Sequence, residues 1–420
     1  MVVWIQNPFD NLPSEGYRKQ RYWLMCEAFV RAGWNVVLWT SDFSHAKKVT
    51  RLRGCEVAES RGFEVRLIPT LPYSRNVSFA RIRSHRAYAK NWHDIVTCSC
   101  NDFATSQPRN PVTSQPRNPV TSQPRNPVTS QPRNPVTSQP PALVISSCPT
   151  LSAAETALEL GRKFGAKVVV DVMDAWPETF ERLAPKGFRW LTKPFLAGMY
   201  RTARRIYREA DLVTGVCERY RELTGRGDYY LAYHGIELNN RERGTGSREQ
   251  GWFAGSTRKI RLVYAGNLGK TYDLATVVKA VEANADFELD VAGFGEFKCA
   301  CPRVRFHGLL SEQDLQTLLG RCDVGIVPMR PDSWVGVPYK FCDYSQAGLA
   351  IVSSLGGESS ALLEKYRCGA TYNAGDAASL TAAIRKAMTL ERGASRTMCA
   401  AEFDAVKIYD AYVERVSHLA

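Results

Sequence analysis

The sequence predicts an α/β protein made of two parallel-sheet domains that face one another across a cleft. Short β-branched runs alternate with helical stretches up to "DLVTGV" at 211–216, a polar Gly/Ser-rich interval follows at 239–256, and the same alternation then restarts. Runs that are apolar at every position are buried on both faces, as in a parallel sheet covered by helices.

In the first domain (1–238) the opening "MVVWIQN" reads as a strand, and "YRKQRYWLMCEAFVRAG" as a helix that stops at Gly33. Glycine is a common residue just past a helix end. "WNVVLWTSD", "FEVRLIPT", "ALVISS", "KVVVDVMD" and "DLVTGV" continue the strands, with helical stretches such as "TLSAAETALELGRKFG" between them. Residues 239–256 form the expected linker. The second domain (257–399) repeats the pattern with "KIRLVYAGN", "FELDVAGFG", "VRFHGLL", "VGIVPM" and "LAIVSS". A last helix, roughly 400–420, is expected to pack back on the first domain.

One segment breaks the pattern. "TSQPRNPV" occurs four times in tandem from Thr105 to Val136, followed by "TSQPP". Proline at two of every eight positions removes amide donors and forbids helix, and one Val per unit gives little to bury. Residues 105–140 are expected to form an extended, solvated loop inserted where a short connection would suffice. The rival reading is a Pro-rich docking site or a basic arm.

Charge and composition narrow the function classes. The chain carries 55 Lys+Arg and 42 Asp+Glu, a net +13. The excess lies in residues 1–240, with 33 basic and 21 acidic residues against 22 and 21 in the remainder. Arg75, Arg81, Arg83, Arg86 and Lys90 occur with no acid between Glu64 and Asp94. Such a run fits either an anionic membrane surface or a solvated helix face. No nucleic-acid-binding pattern accompanies it, so no nucleic-acid partner is expected. No stretch reaches the roughly 18 apolar residues of a membrane span. The N-terminus reads as a strand rather than a secretory signal. The twelve cysteines are scattered without a C-x-x-C pair, which fits a reduced, cytoplasmic chain, and the C-x-C pairs at Cys98/Cys100 and Cys299/Cys301 are poorly spaced for zinc. No metal site and no cofactor are expected.

Ligands of open α/β sheets bind beyond the carboxyl ends of the strands, so the residues following each strand are the candidates. After "RLVYAG" comes Gly266-Asn267-Leu268-Gly269-Lys270. Glycines permit close backbone approach, a helix starting near Tyr272 would aim amides at an anion, and Lys270 adds positive charge. After "VGIVPM" comes "VGVPYKFCDYSQAG". If Pro338 opens a helix, Lys340 and Asp343 share a face. An ammonium there can meet phosphate oxygens and a carboxylate can accept ribose hydroxyls; the alternative is a local ion pair of little consequence. In the first domain Gly16, Arg18 and Arg21 stand where the first strand hands over to its helix. Asp174 and Glu178 follow a strand, placed either for sugar hydroxyls and general-base work or for helix capping.

Taken together, "EGYRKQRYWLMCEAFVRAGWNVVLWTSDFSH", "ISSCPTLSAAETALELGRKFGAKVVVDVMDAWPETF", "YAGNLGKTYDLATVV" and "VGVPYKFCDYSQAGLAIVSSLGGE" resemble the family 4 retaining glycosyltransferases. The branch they are most similar to is that of amino-sugar transferases of bacterial surface polysaccharide synthesis. The resemblance implies the GT-B fold, two Rossmann-like domains facing across a cleft. It also implies a nucleotide-sugar donor, with UDP as the expected nucleotide, as co-substrate. The acceptor it implies is a glycan or a lipid-linked sugar, at the inner face of the cell membrane. By position, Asp343 matches the second acid of the family's Glu-x7-Glu motif and Lys340 a lysine of this branch. Gly266, Asn267, Gly269 and Lys270 match the donor diphosphate loop, and Gly16 the first-domain loop at the transferring group. Asp174 matches the acid near the reacting sugar, so that Asp174 and Lys270 carry the implied catalytic roles. Arg81, Arg83 and Arg86 are assigned to the acceptor or membrane side. Three positions depart from the pattern: Val335 replaces the first acid, Met173 a histidine or arginine, and Asn267 an arginine. A nucleotide-sugar epimerase of the same fold and an inactive binding protein are the alternatives.

Overall fold

The computed structural model describes residues 1–51, 58–60, 62–74, 78–104, 139–181, 186–238, 259–269, 271–331 and 333–420. The four octapeptide copies, the linker, Arg75 and Lys270 lie outside the described residues.

The first domain holds strands β1 (Val2–Gln6), β2 (Asn35–Ser41), β3 (Phe43–Ser44), β4 (Val49–Thr50), β5 (Ala58–Ser60), β6 (Phe63–Ile68), β7 (Leu143–Cys148), β8 (Lys167–Val172), β9 (Leu212–Gly215) and β10 (Tyr230–Leu231). Eight of them form one sheet in the order β10-β9-β8-β7-β1-β2-β6-β5, and β3 and β4 pair separately. All neighbours in the large sheet run parallel except β5, which lies antiparallel to β6 at the edge. The apolar runs behave as their composition predicts: every residue of β1 and β7 is buried, and alternate side chains feed cores on the two faces of the sheet.

The second domain holds β11 (Ile260–Ala265), β12 (Phe287–Ala292), β13 (Val304–Gly308), β14 (Val324–Val327), β15 (Ala350–Ser353) and β16 (Gly369–Thr371). They form a wholly parallel sheet in the order β13-β12-β11-β14-β15-β16, again with a core on each face.

In both sheets the strand order reverses beside the first strand, between β7 and β1 and between β11 and β14. At such a reversal the two crossover helices leave toward opposite faces and open a crevice at the strands' carboxyl ends.

The chain passes between the domains twice, and the two passes are hydrogen bonded: the Ile236 amide donates to the Phe403 carbonyl (2.9 Å), and the Ala405 amide to the Ile236 carbonyl (3.0 Å). Helix Ala405–Ser417 then lies on helix Arg21–Arg31, with Tyr409, Tyr412, Val413 and Val416 inside the first domain's core. No described helix is long and apolar enough to cross a membrane.

Candidate active site

Each switch point opens into a cavity. The first, about 140 Å3, is lined by Asn7, Phe9 and Asp10 after β1, by Ser147 and Pro149 at β7, and by Gln20, Arg21, Tyr22, Met173 and Tyr339. The second, about 230 Å3, is lined by Tyr272, His234, Cys217, Tyr220 and the stretch Val335–Lys340. Met173 and Tyr339 border both, so the two cavities are neighbouring parts of the interdomain cleft.

Helix Tyr339–Gln346 carries Lys340 and Asp343, each 7% exposed, with Pro338 as its N-cap residue. The two side chains do not pair; they diverge. The Lys340 ammonium lies 4.2 Å from the Tyr272 ring centroid and 5.1 Å from that of Tyr264. It stands over Gly266, where an added Cβ would meet Nζ at 2.7 Å. Among the described residues no carboxylate meets this ammonium. Facing the aromatic rings recovers part of the cost of burying a cation, and the remainder is unmet by any anion of these residues. Gly266 itself has φ +137°, and a Cβ on Gly293 (φ +136°) would collide with the Gly266 carbonyl; only glycine lets the β11 and β12 exit loops close over one another.

Asp343 instead reaches the first domain, where it forms an ion pair with Arg18. Burial acts to lower the Arg18 guanidinium, and the field of Asp343 more than offsets it, so Arg18 is held charged. Arg18 also stands 5.3 Å from the Tyr339 ring centroid, and His234 stacks on the same ring at 3.9 Å. Burial, then the field of Arg21, pushes His234 down to about 3, so it is neutral. The loop 333–338 rests on the first domain: Arg219 donates to the Ser333 carbonyl at 2.9 Å, and a Cβ on Gly336 would meet Cys217 at 2.5 Å.

The remaining positions expected in the site sort as follows. Gly16 ends a 3-10 turn at φ +84° and is exposed. Asn267 is exposed, and its carbonyl accepts from the Tyr264 hydroxyl. Gly269 approaches the Asn267 side chain closely. The helix expected near Tyr272 begins at Leu274, because Asp273 caps it by accepting from the Thr276 amide; a carboxylate therefore already occupies this helix start, and the cationic character of the site comes from Lys340. Val335 lines the second cavity beside Lys340. Arg21 borders the first cavity, but its charge is already paired within the first domain. It is buried in a bidentate pair with Asp171 (2.8 Å on both arms) and donates to the Ala232 and Tyr233 carbonyls.

Asp174 follows β8 and accepts from the Thr179 hydroxyl at 3.4 Å. Its field acts on Arg81, which faces inward over Phe9 (4.9 Å) and Trp176 (5.1 Å). Arg81 thus belongs to the cleft cluster, while Arg83 and Arg86 are exposed; one face of helix Phe79–Ala104 packs inward, which separates three arginines that are close in sequence. His45 and His85 flank Phe9 in this cluster, and burial followed by the field of Arg81 pushes both down to about 3.

Sequence reasoning did not single out Asp10. It is 4% exposed, and the Asn7 amide donates to its Oδ1 at 2.7 Å. Its Oδ2 is buried with no hydrogen-bond partner among the described residues, and burial, against the Asn7 donor and the Arg51 field, pushes the carboxyl up to about 7.

Residues 259–389, which make up most of the second domain and its side of the cleft, match the family described as "Glycosyl transferases group 1". Solved structures with the same two-domain arrangement include sucrose-phosphate synthase from Thermosynechococcus elongatus, with 13% identity, TM-score 0.66, and coverage of 100% of this chain and 98% of that one. The Anabaena protein HepE in complex with UDP matches with 11% identity, TM-score 0.60 and 99% coverage of both chains. WaaG, a glycosyltransferase involved in lipopolysaccharide biosynthesis, matches with 11% identity, TM-score 0.55, and coverage of 99% of this chain and 100% of that one. No curated protein matches the sequence. At these identities the likeness establishes the GT-B fold.

Proposed function

We propose that this protein is a retaining glycosyltransferase. It moves a hexosyl or N-acetylaminosugar unit from a UDP-linked donor to a glycan or lipid-linked acceptor in bacterial surface polysaccharide synthesis. The observation that carries the donor half of this reading is Lys340: a buried ammonium beside a glycine-lined strand end, at a switch-point cavity, with no carboxylate meeting it among the described residues. Breaking a sugar–phosphate bond leaves negative charge on the nucleoside diphosphate, and a fixed cation in a site of low dielectric stabilises that charge as it develops. In this reading Gly266, Asn267, Gly269 and Lys270 cradle the diphosphate and Asp343 accepts the ribose hydroxyls. Gly16 meets the transferring group, and Asp174 orients the reacting sugar. The chemistry is metal-independent, because lysine supplies the charge. Arg83 and Arg86 lie on the acceptor side. That HepE was solved with UDP supports the choice of nucleotide.

Calorimetric titration with UDP, UMP and UDP-sugars tests the donor site, and the anomeric configuration of the product by NMR tests retention. Absence of UDP binding, or binding unaffected by Lys340→Met and Lys270→Ala together, refutes the reading. Met173, where a cation is usual in the related family, favours one second reading, a catalytically inactive binding protein with the octapeptide repeat as its arm. Donor turnover that continues unchanged after deletion of residues 105–136 disposes of it.

A further inference from the structure

The chain leaves the cleft at Asp174 and Trp176 and, twelve residues after Trp176, reaches a cluster of exposed apolar side chains. Phe188 is 59% exposed, Trp190 66%, Leu191 43% and Phe195 87%. They lie on the 3-10 helix Lys186–Thr192 and the first turn of helix Lys193–Glu209. The core does not need them, since that helix is anchored by Ala203, Ile206 and Tyr207. The charge of this stretch of sequence has one sign: between Glu181 and Glu209 there are eight Lys and Arg residues and no acid. Lys193, Arg201, Arg204 and Arg208 are exposed and, at spacings of eight, three and four, share one helix face. None of these four meets a carboxylate among the described residues.

Large aromatic side chains beside an unpaired cationic helix face match the boundary of an anionic bilayer, where rings enter the headgroup layer and cations meet phosphate. A second copy of the chain is a poor occupant, because a two-fold contact would set like charges against one another. We propose that Phe188, Trp190 and Phe195, with Lys193, Arg201, Arg204 and Arg208, form a membrane-docking surface that seats the first domain on an anionic lipid bilayer. The Tyr200 hydroxyl donates to Glu181 at 2.6 Å, which ties the docking helix to the turn that follows Trp176. This assigns docking to a different element from the arginines of helix Phe79–Ala104. It rests on the glycosyltransferase reading only for its purpose, the delivery of a lipid-linked acceptor to the cleft.

The test floats the full-length protein with phosphatidylcholine vesicles containing about a third phosphatidylglycerol, and with phosphatidylcholine alone. The protein is expected to bind the anionic vesicles preferentially. Trp190→Ala/Phe195→Ala and, separately, Arg201→Glu/Arg204→Glu are each expected to lower the partition coefficient at least about tenfold, with melting temperature and UDP affinity unchanged. Arg83→Glu/Arg86→Glu is expected to lower it less than about threefold. Quenching of tryptophan fluorescence by brominated lipid is expected in the parent and reduced in the Trp190 variant. The proposal is overturned if the parent shows no preference for anionic vesicles, or if both patch variants bind as the parent does. It is overturned equally if only the Arg83/Arg86 variant loses binding, or if the patch proves to be a dimer contact that Trp190→Ala/Phe195→Ala dissolves in sedimentation velocity. Because UDP titration is run on the same samples, failure of docking and failure of the donor site are read separately.

Discussion

Arg18 of the first domain is ion-paired with Asp343 of the second, across the cleft. The pair joins the loop after β1 to the helix after β14, the two elements that border the switch-point cavities. The same carboxylate that could accept ribose hydroxyls therefore also holds the domains together. Asp343→Ala should weaken UDP binding by about tenfold to a hundredfold, the loss expected for hydrogen bonds to a charged group. Arg18→Ala should widen the cleft, read as a larger radius of gyration in solution scattering. An unchanged scattering profile would show that the pair plays no part in closure.

Lys340 and Gly266 act at one point, and each has its own signature. Lys340→Met should cost UDP about tenfold or more in affinity while leaving uridine nearly unaffected, because only the phosphates meet the ammonium. Gly266→Ala forces a side chain into φ +137° and against Nζ. It should cost about 1–3 kcal/mol of stability, measured by denaturant midpoint, together with UDP affinity. Equal losses for UDP and uridine on Lys340→Met would mean that this lysine does not contact phosphate.

Asp10 makes stability depend on pH in an unusual direction. Its folded carboxyl titrates at about 7 rather than the ordinary 3.8. Between those values the folded protein keeps a proton that the unfolded chain releases, so this group lowers stability as pH rises. Asp10→Asn should melt at a higher temperature than the parent at pH of about 8, with the gap closing toward about 4. A constant gap across the range would place the effect elsewhere.

The buried Arg21–Asp171 pair receives two further donors, Tyr22 (2.8 Å) and Thr214 (2.7 Å). Burial works against the Asp171 charge, yet Arg21 and these hydrogen bonds outweigh it and hold the carboxyl low. Its contribution is thus present above the ordinary carboxylate range and is lost as pH falls through the lowered value. Asp171→Ala strands a buried guanidinium and should destabilise by about 3–5 kcal/mol. Urea denaturation followed by circular dichroism measures this, and the double variant Arg21→Met/Asp171→Leu should recover much of the loss.

Much of the fold was legible because most of its strands are short runs dominated by apolar and β-branched residues, and such runs have few other places to go than the middle of a parallel sheet. β1, β7, β8 and β11 stand where the composition places them. β5 was not legible as an antiparallel edge, since Ala58–Ser60 carries no apolar run of the kind that marks its neighbours. Within the site, the spacing of Lys340 and Asp343 sufficed to put them on one helix face. The same spacing suggested that they pair with one another, which they do not, because the Tyr264 and Tyr272 rings face Lys340 and Arg18 takes Asp343, all from distant parts of the chain. Arg81, Arg83 and Arg86 read as one basic run, and helix packing turned the first inward.

The amino-acid order alone determined two sheet domains, a glycine-lined exit from β11 and a lysine on the helix after β14, since these follow from local periodicity and backbone freedom. Tertiary structure decided which charges meet. Among the described residues it buried Lys340 away from carboxylates, set Asp343 against Arg18, left one oxygen of Asp10 without a donor, and turned Trp190 and Phe195 outward. Electrostatic pairing and exposure depend on distance and dielectric in three dimensions, and residues 325 positions apart, such as Arg18 and Asp343, have no separation until the domains fold and face each other.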